Sequence, residues 1–406
     1  MERDILITGG GLVGSTLGLA LAQAGFQVTM VDALPKATRR KRGFDGRSYA
    51  MALATTRMLR ALGLWEELGP QAEAINAIKV SDGRPGQAPS PFFMHFDPAE
   101  IGTEPMGYMV EDRHARVALL NAEKDTPGFT HLAKMRVIDQ DVSAGRATIT
   151  MENGEELSAP LLIGCDGRAS GTAHRAGIKR TEWTYGQTSL VCALHVEKPH
   201  DGVAHQLFLP AGPLAILPLT KNRVGVVWTE ATARAAEIAE MNDESYLATI
   251  RPRFGDFLGD IALAGDRFTY PLNLSLANSF IGDRLALVGD AAHGIHPIAG
   301  QGLNAGMRDV AALTEVLSEA RRRGEDIGAP QVLARYQQWR RFDTATLALA
   351  TDTFNRLFSN DKPALRALRD LGMGAVNALP TLRRGFMREA AGLTGDLPRL
   401  LQGEPV

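Results

Sequence analysis

The chain has 406 residues, enough for two or three domains with real cores, and its composition is that of an ordinary folded protein. Its 44 basic and 46 acidic side chains leave a net charge of −2, which excludes a nucleic-acid footprint. The two cysteines, Cys165 and Cys192, give neither a disulfide framework nor a zinc site, and both read as buried small hydrophobes in a reducing compartment.

The first element decides the class. Ile5 to Val31 carries no charged side chain and is long enough to cross a bilayer. Its texture argues otherwise. Gly9, Gly10, Gly11, Gly14, Gly18 and Gly25 fall inside it, Gln23 and Gln27 interrupt it, and the leader before it is not positive. The stretch divides instead into a buried strand (Asp4 to Thr8), a glycine turn, a helix from Ser15 to Ala24 and a second strand from Gln27 to Val31. Gly9-x-Gly11-x-x-Gly14 follows the first strand at once, and Asp32 ends the second about 20 residues on, the arrangement of a dinucleotide-binding βαβ unit. Gly9 permits the turn, Gly11 lets a pyrophosphate approach, and Gly14 lets helix and strand pack closely. Leu12 and Val13, between the glycines, belong to the candidate cofactor-binding set; the helix N-terminus after them offers N–H groups to the pyrophosphate, and Asp32 accepts from a ribose.

Further along, Arg39 to Arg42 reads as a solvated basic loop, and Tyr49 to Leu64 as a helix preceded by Arg47. Residues 76–107 are rich in Pro and Gly and read as short strands or loops. "GYMVEDRHARVALLNAE" resumes a strand-to-helix pattern with Arg113 at the junction. Val137 to Val142 and Arg146 to Met151 alternate, and Asn153-Gly154 signals a hairpin. The apolar run Leu161 to Ile163 then leads to Asp166-Gly167 at a strand's carboxyl end. Residues 186–230 read as antiparallel sheet, a candidate substrate floor, and Asn242 to Leu258 as a helix interrupted by Pro252. Leu285 to Val288 is a buried strand with Asp290 just past its end. A loop of Gly, His and Pro follows, then a helix whose stripe of Leu303, Met307, Val310, Thr314 and Leu317 is core. The rest is mostly helical, broken at Pro380.

Three motifs in this order, Gly9-x-Gly11-x-x-Gly14 with Asp32, "CDGRAS" at 165–170 and "GDAAHGIHPIAGQGLN" at 289–304, resemble the FAD-dependent aromatic monooxygenases of the para-hydroxybenzoate hydroxylase type. "DGRSYAMA", "YMVEDR", "YPLNLSLANSF", "HPIAGQGLNAGMRDV", "LFSND" and "AAGLTGDLPRLL" resemble the ubiquinone-biosynthesis branch, so the likeness runs end to end. It implies an α/β fold: a Rossmann-like FAD-binding domain (residues 1–75, 106–180 and 276–345), an inserted, mostly antiparallel substrate sheet (76–105 and 181–275) and a helical region (346–406). It also implies that the three glycines hold the FAD pyrophosphate, and that Arg47 and Arg113 lie near the flavin and its phosphates. Asp166 and Gly167 belong to a motif tied to FAD and NAD(P)H. Asp290 bonds the ribityl or pyrophosphate region, and Pro297, Gly300, Gln301, Gly302, Leu303 and Asn304 line the isoalloxazine. Where the broader family often carries an arginine, this chain has Ala173, with Arg175 two positions on, so pyridine-nucleotide contacts do not carry over simply.

The implied chemistry belongs to the cofactor: NAD(P)H reduces FAD, O2 adds at flavin C4a, and the outer oxygen of the hydroperoxide attacks a phenolic ring. No catalytic residue or metal is required; His293 and His296 are the candidate bases, with a loop role beside the flavin preferred. The implied substrate is a polyprenylated phenol, with O2 and other ubiquinone-biosynthesis proteins as partners. The expected location is cytoplasmic with peripheral contact at the inner face of the membrane, "LRRGFMREAAGL" being the candidate contact. The alternatives are a hydroxylase of soluble aromatics or polyketides, and an inactive FAD-holding scaffold. The four tryptophans include no Trp-x-Trp pair, which sets halogenases aside.

Overall fold

A computed structural model describes residues 3–41, 43–87, 90, 93–102, 104–295, 300–358 and 363–406. The charge-free opening becomes the centre of a six-stranded sheet. Its order is Ile281–Gly282, Leu285–Leu287, Leu161–Gly164, Ile5–Thr8, Val28–Asp32, Phe129–Ala133. All pairings are parallel except that of Ile281–Gly282 at one edge. Ile5–Thr8 and Leu161–Gly164 are buried at every residue, which explains their unbroken apolar runs. The chain order reverses across Ile5–Thr8, so the carboxyl ends of this sheet form the crevice where ligands of such folds bind. The helices Leu12–Gln23 and Gln301–Arg322 begin there.

A second, larger sheet stands beside the first. Its main path runs His293–Gly294, Phe268–Ala277, Arg180–Val196, Arg223–Ala231, Gly212–Leu219, Val203–Leu209, Ala77–Asp82, Phe93–Phe96. It is antiparallel apart from the pairing of Val203–Leu209 with Ala77–Asp82. Lys221 and Asn222 turn one hairpin with φ of 64° and 52°. One face packs on the helices Thr232–Ala239 and Asp243–Phe254 through a core that includes Trp228, Tyr246 and Phe254. The other face is the floor of a cavity.

Two local readings change. Ser48–Ala52 is a strand and the helix is Leu53–Ala61. An all-apolar Tyr-Ala-Met run fits either period, and pairing with Gly107–Glu111 decides for strand. Pro252 does not interrupt its helix: it lies in the last turn of Asp243–Phe254, which runs on to Phe254, and Gly255 at φ 80° ends the element. Pro380 occupies the first turn of Pro380–Ala390, after Pro363–Ala378 and the long helix Pro330–Phe358. Cys165 and Cys192 are free and buried, and burial raises both thiols, Cys192 to about 11.

Candidate cofactor and substrate site

A cavity of about 1560 Å3 runs from Gly11–Val13, past Arg47–Ala52 and Gly300–Asn304, to the floor of the large sheet and the C-terminal helices. That is more than one small ligand needs and is room for a cofactor with a second molecule.

At its head the three glycines do three different things. Gly9 has φ 92°, and a Cβ there would lie 2.5 Å from the Cys165 carbonyl oxygen. A Cβ on Gly14 would lie 2.0 Å from the Gly9 carbonyl oxygen, so helix and strand touch at that point. A Cβ on Gly11 would meet no protein atom within 4 Å. Gly11 caps the helix with no side-chain hydrogen bond, and no acid stands in the first turn, so the leading N–H groups face open space. Gly11→Ala is therefore expected to fold normally while weakening FAD by roughly tenfold or more, by blocking close approach of the pyrophosphate. Melting curves and flavin titration check this.

Asp32 is buried at its strand end and ion-paired with Arg39, and the Leu34 amide donates to its Oδ1 at 3.3 Å. Arg39 is thus not a solvated loop residue: a buried carboxylate needs a partner, and Arg39 supplies it. Arg42 lies outside the described residues.

Below the head sits a charged cluster. Arg47 bridges Asp45 at 2.6 Å and Asp112 at 3.0 Å, and Arg116 forms an ion pair with Asp112 at 2.7 Å. The Tyr49 hydroxyl donates to Asp112 at 2.9 Å. Burial outweighs both arginines and raises the Asp112 carboxyl. Arg47 and Arg116 line the cavity. Arg113 does not; it pairs with Glu111 at 2.8 Å, and Glu111 also holds Arg223. Arg116 was missed in the sequence, although its place four residues after Asp112 on the helix Asp112–Asp125 put both on one face.

Asp166 faces inward to its own loop, accepting from the Thr172 amide and hydroxyl, each at 2.9 Å. Gly167, at φ 82°, and Arg168 line the cavity instead. Arg168 donates to Asp290 at 3.0 Å and to the Asn273 side-chain oxygen at 2.8 Å, joining the two acid-glycine strand ends to the large sheet. Arg175 turns away to Gln140, at 3.2 Å.

Asp290 lines the cavity. His293 lies behind it, buried, with Nε2 2.6 Å from Asp309 and no place in the lining. Asp309 also accepts from the Gly289 amide at 2.9 Å and from Arg340 at 2.8 Å. Burial opposes its charge, but His293 and Arg340 together hold its carboxyl below the ordinary value. His296 and Pro297 lie outside the described residues. Gly300, with φ 64°, caps the 22-residue helix Gln301–Arg322 without a side-chain bond, and that helix also has no acid in its first turn. Asn304 is a clamp: it accepts from the Ala52 amide and the Thr55 hydroxyl and donates to the Ala50 and Gly300 carbonyls. It fixes the strand Ser48–Ala52 against this helix start.

Two uncapped helix N-termini, with open space before Gly11, fit an anionic dinucleotide. The sequence matches the family described as FAD binding domain over residues 2–348. The chain belongs to the FAD-binding-domain family. Its cofactor is FAD, and it is a flavin-dependent aromatic hydroxylase by family. This FAD-binding-domain protein is 44% identical over 406 residues to ubiquinone hydroxylase UbiL of Rhodospirillum rubrum, covering 99% of this chain and 93% of that one. It is 36% identical to 3-demethoxyubiquinol 3-hydroxylase of Escherichia coli, covering 96% and 98%. Among solved structures, p-nitrophenol 4-monooxygenase from Pseudomonas putida superposes with a TM-score of 0.80 over 97% of this chain and 99% of the other; at 19% identity this establishes the shared fold.

Proposed function

We propose that this flavoprotein hydroxylates the aromatic ring of a polyprenylated phenol in ubiquinone biosynthesis, with NAD(P)H and O2 as co-substrates. The relatives named above support the substrate class. The observation that carries it is the apolar arm of the cavity, which continues past the helix start at Gly300 between the large sheet and the C-terminal helices. Val80, Phe208, Phe358 and Met373 pack around it, with Ile78 and Met94 beside them. Arg369 of the helix Pro363–Ala378 closes over the floor by an ion pair with Asp82 at 2.7 Å. Such an arm suits a hydrocarbon chain.

The bound flavin supplies the redox chemistry, taking two electrons from NAD(P)H and activating O2. In this reading the protein binds, orients and excludes water. The N–H groups at Gly11–Gly14 hold the pyrophosphate, Asp32 and Arg39 meet the adenosine, Arg47, Arg116 and Asp290 hold the middle of the cofactor, and Gly300–Leu303 offer N–H groups to the anionic ring. His293 holds a buried carboxylate and is assigned no proton transfer. Arg113 takes a supporting place outside the cavity.

Peripheral membrane contact is part of the reading. No helix among the described residues is long and apolar enough to cross a membrane. Leu379, Leu382 and Phe386 are exposed on and beside the helix Pro380–Ala390, next to Arg384, and Phe386 also lines the cavity. An apolar mouth flanked by a cation suits entry from an anionic lipid surface.

The test is oxidation of NAD(P)H by the purified yellow protein, offered a prenylated phenol in detergent and a soluble phenol in parallel. The expected result is faster oxidation with the prenylated substrate and a product heavier by one oxygen atom. Turnover of the soluble phenol alone supports the alternative substrate class, and flavin binding with no NAD(P)H oxidation supports a scaffold.

A further inference from the structure

Register across the floor places Val191, Val227, Ala215, Gln206, Val80 and Met94 in one row, each beside the next, and all six line the cavity. Five are apolar. Gln206 is the exception, near the middle. Among the described residues its Nε2 is shielded from water and has no hydrogen-bond partner. The neighbouring polar pair on the floor differs: Ser189 and Thr229 lie 3.5 Å apart and bond to each other.

A side-chain amide left unpaired in an apolar wall lowers stability, and a leucine there fills similar space without that cost. Packing therefore does not account for Gln206. A carboxamide offers two donors and an acceptor on one plane, and a half-turn about its last bond brings either end to the cavity. An apolar ring bearing one oxygen matches a surface of that kind: apolar contact on all sides and a single polar partner.

We infer that Gln206 binds a ring oxygen of the aromatic substrate and so fixes which ring carbon faces the flavin. The inference rests on the function proposed above. Gln206 is a specificity-determining contact, and it takes no part in redox chemistry.

The experiment compares FAD-loaded wild type with Gln206→Leu. Two probes are used in detergent: a phenol carrying a short prenyl chain, and the same prenylated benzene without the hydroxyl. Binding is read by quenching of flavin fluorescence, and folding by the melting temperature. Gln206→Leu is expected to bind the phenol roughly five- to tenfold more weakly, the range of one neutral hydrogen bond. It is expected to bind the benzene as wild type does and to melt at the same or a higher temperature. With substrate, less hydroxylated product is expected per NAD(P)H consumed. Equal affinity of wild type and variant for the phenol overturns the assignment. So does an equal loss for phenol and benzene accompanied by a lower melting temperature, which marks a structural role. A wild type that binds neither probe overturns the proposed function as well.

Discussion

Gly14→Ala is expected to give a protein that purifies colourless and takes up no FAD when it is offered. The added methyl group would stand 2.0 Å from the Gly9 carbonyl oxygen and 3.1 Å from the Cys165 side chain. Neither neighbour can yield. Gly9 is backbone in a left-handed turn at φ 92°, and the Cys165 amide is bonded to the Thr8 carbonyl at 2.8 Å. The helix Leu12–Gln23 must therefore move away from the sheet, and its N–H groups leave the position in which they meet a pyrophosphate. Overpacking of this kind costs about 1–3 kcal/mol or more in stability. Flavin absorbance after incubation with FAD, together with melting curves, checks both effects. Gly11→Ala is the control that separates them, since a side chain there clashes with no protein atom.

Asp309→Ala is expected to cost about 3–5 kcal/mol, the usual result of removing one partner from a buried ion pair. Asp309 is wholly buried. Its loss leaves Arg340, 3% exposed, without its buried counter-charge, strips a partner from His293 and frees the Gly289 amide. For a chain of this length that is a fall in Tm of roughly 5 °C, read by calorimetry. The sign of the pH dependence follows from the lowered carboxyl. A carboxylate with a depressed folded value contributes its stability above the ordinary value of about 4 and loses it as the pH falls through the folded value. The gap in stability between wild type and Asp309→Asn should therefore be full at neutral pH and narrow in acid below about pH 4. A gap that stays constant across that range contradicts the role given to Asp309.

The parts legible in the sequence are those carried by local pattern. The glycine turn, the two flanking strands and the hairpin at Asn153-Gly154 each depend on residues a few positions apart. So do the acids at strand ends, Asp32 and Asp290. The missed parts depend on contacts across the chain. Arg39 looked like a solvated loop residue because its partner is named only once the loop folds back on Asp32. Ser48–Ala52 looked helical because an apolar triplet carries no period, and Gly107–Glu111 chose for it. Asn304 lines the cavity, but its clamp on the strand Ser48–Ala52 was hidden because the groups it holds there lie far away in the chain. Gln206 stood in an alternating strand without distinction until five other strands set its row.

One consequence of the central sheet concerns synthesis. Ile5–Thr8 is covered on one side by Val28–Asp32, but its other neighbour, Leu161–Gly164, is made more than a hundred residues later. At ~5–20 residues per second, the ribosome leaves that edge bare for on the order of ten seconds. The same absence of charge that makes a good buried strand makes the nascent chain sticky during the wait, so this protein's yield in a cell should depend on chaperones that shelter its first thirty residues.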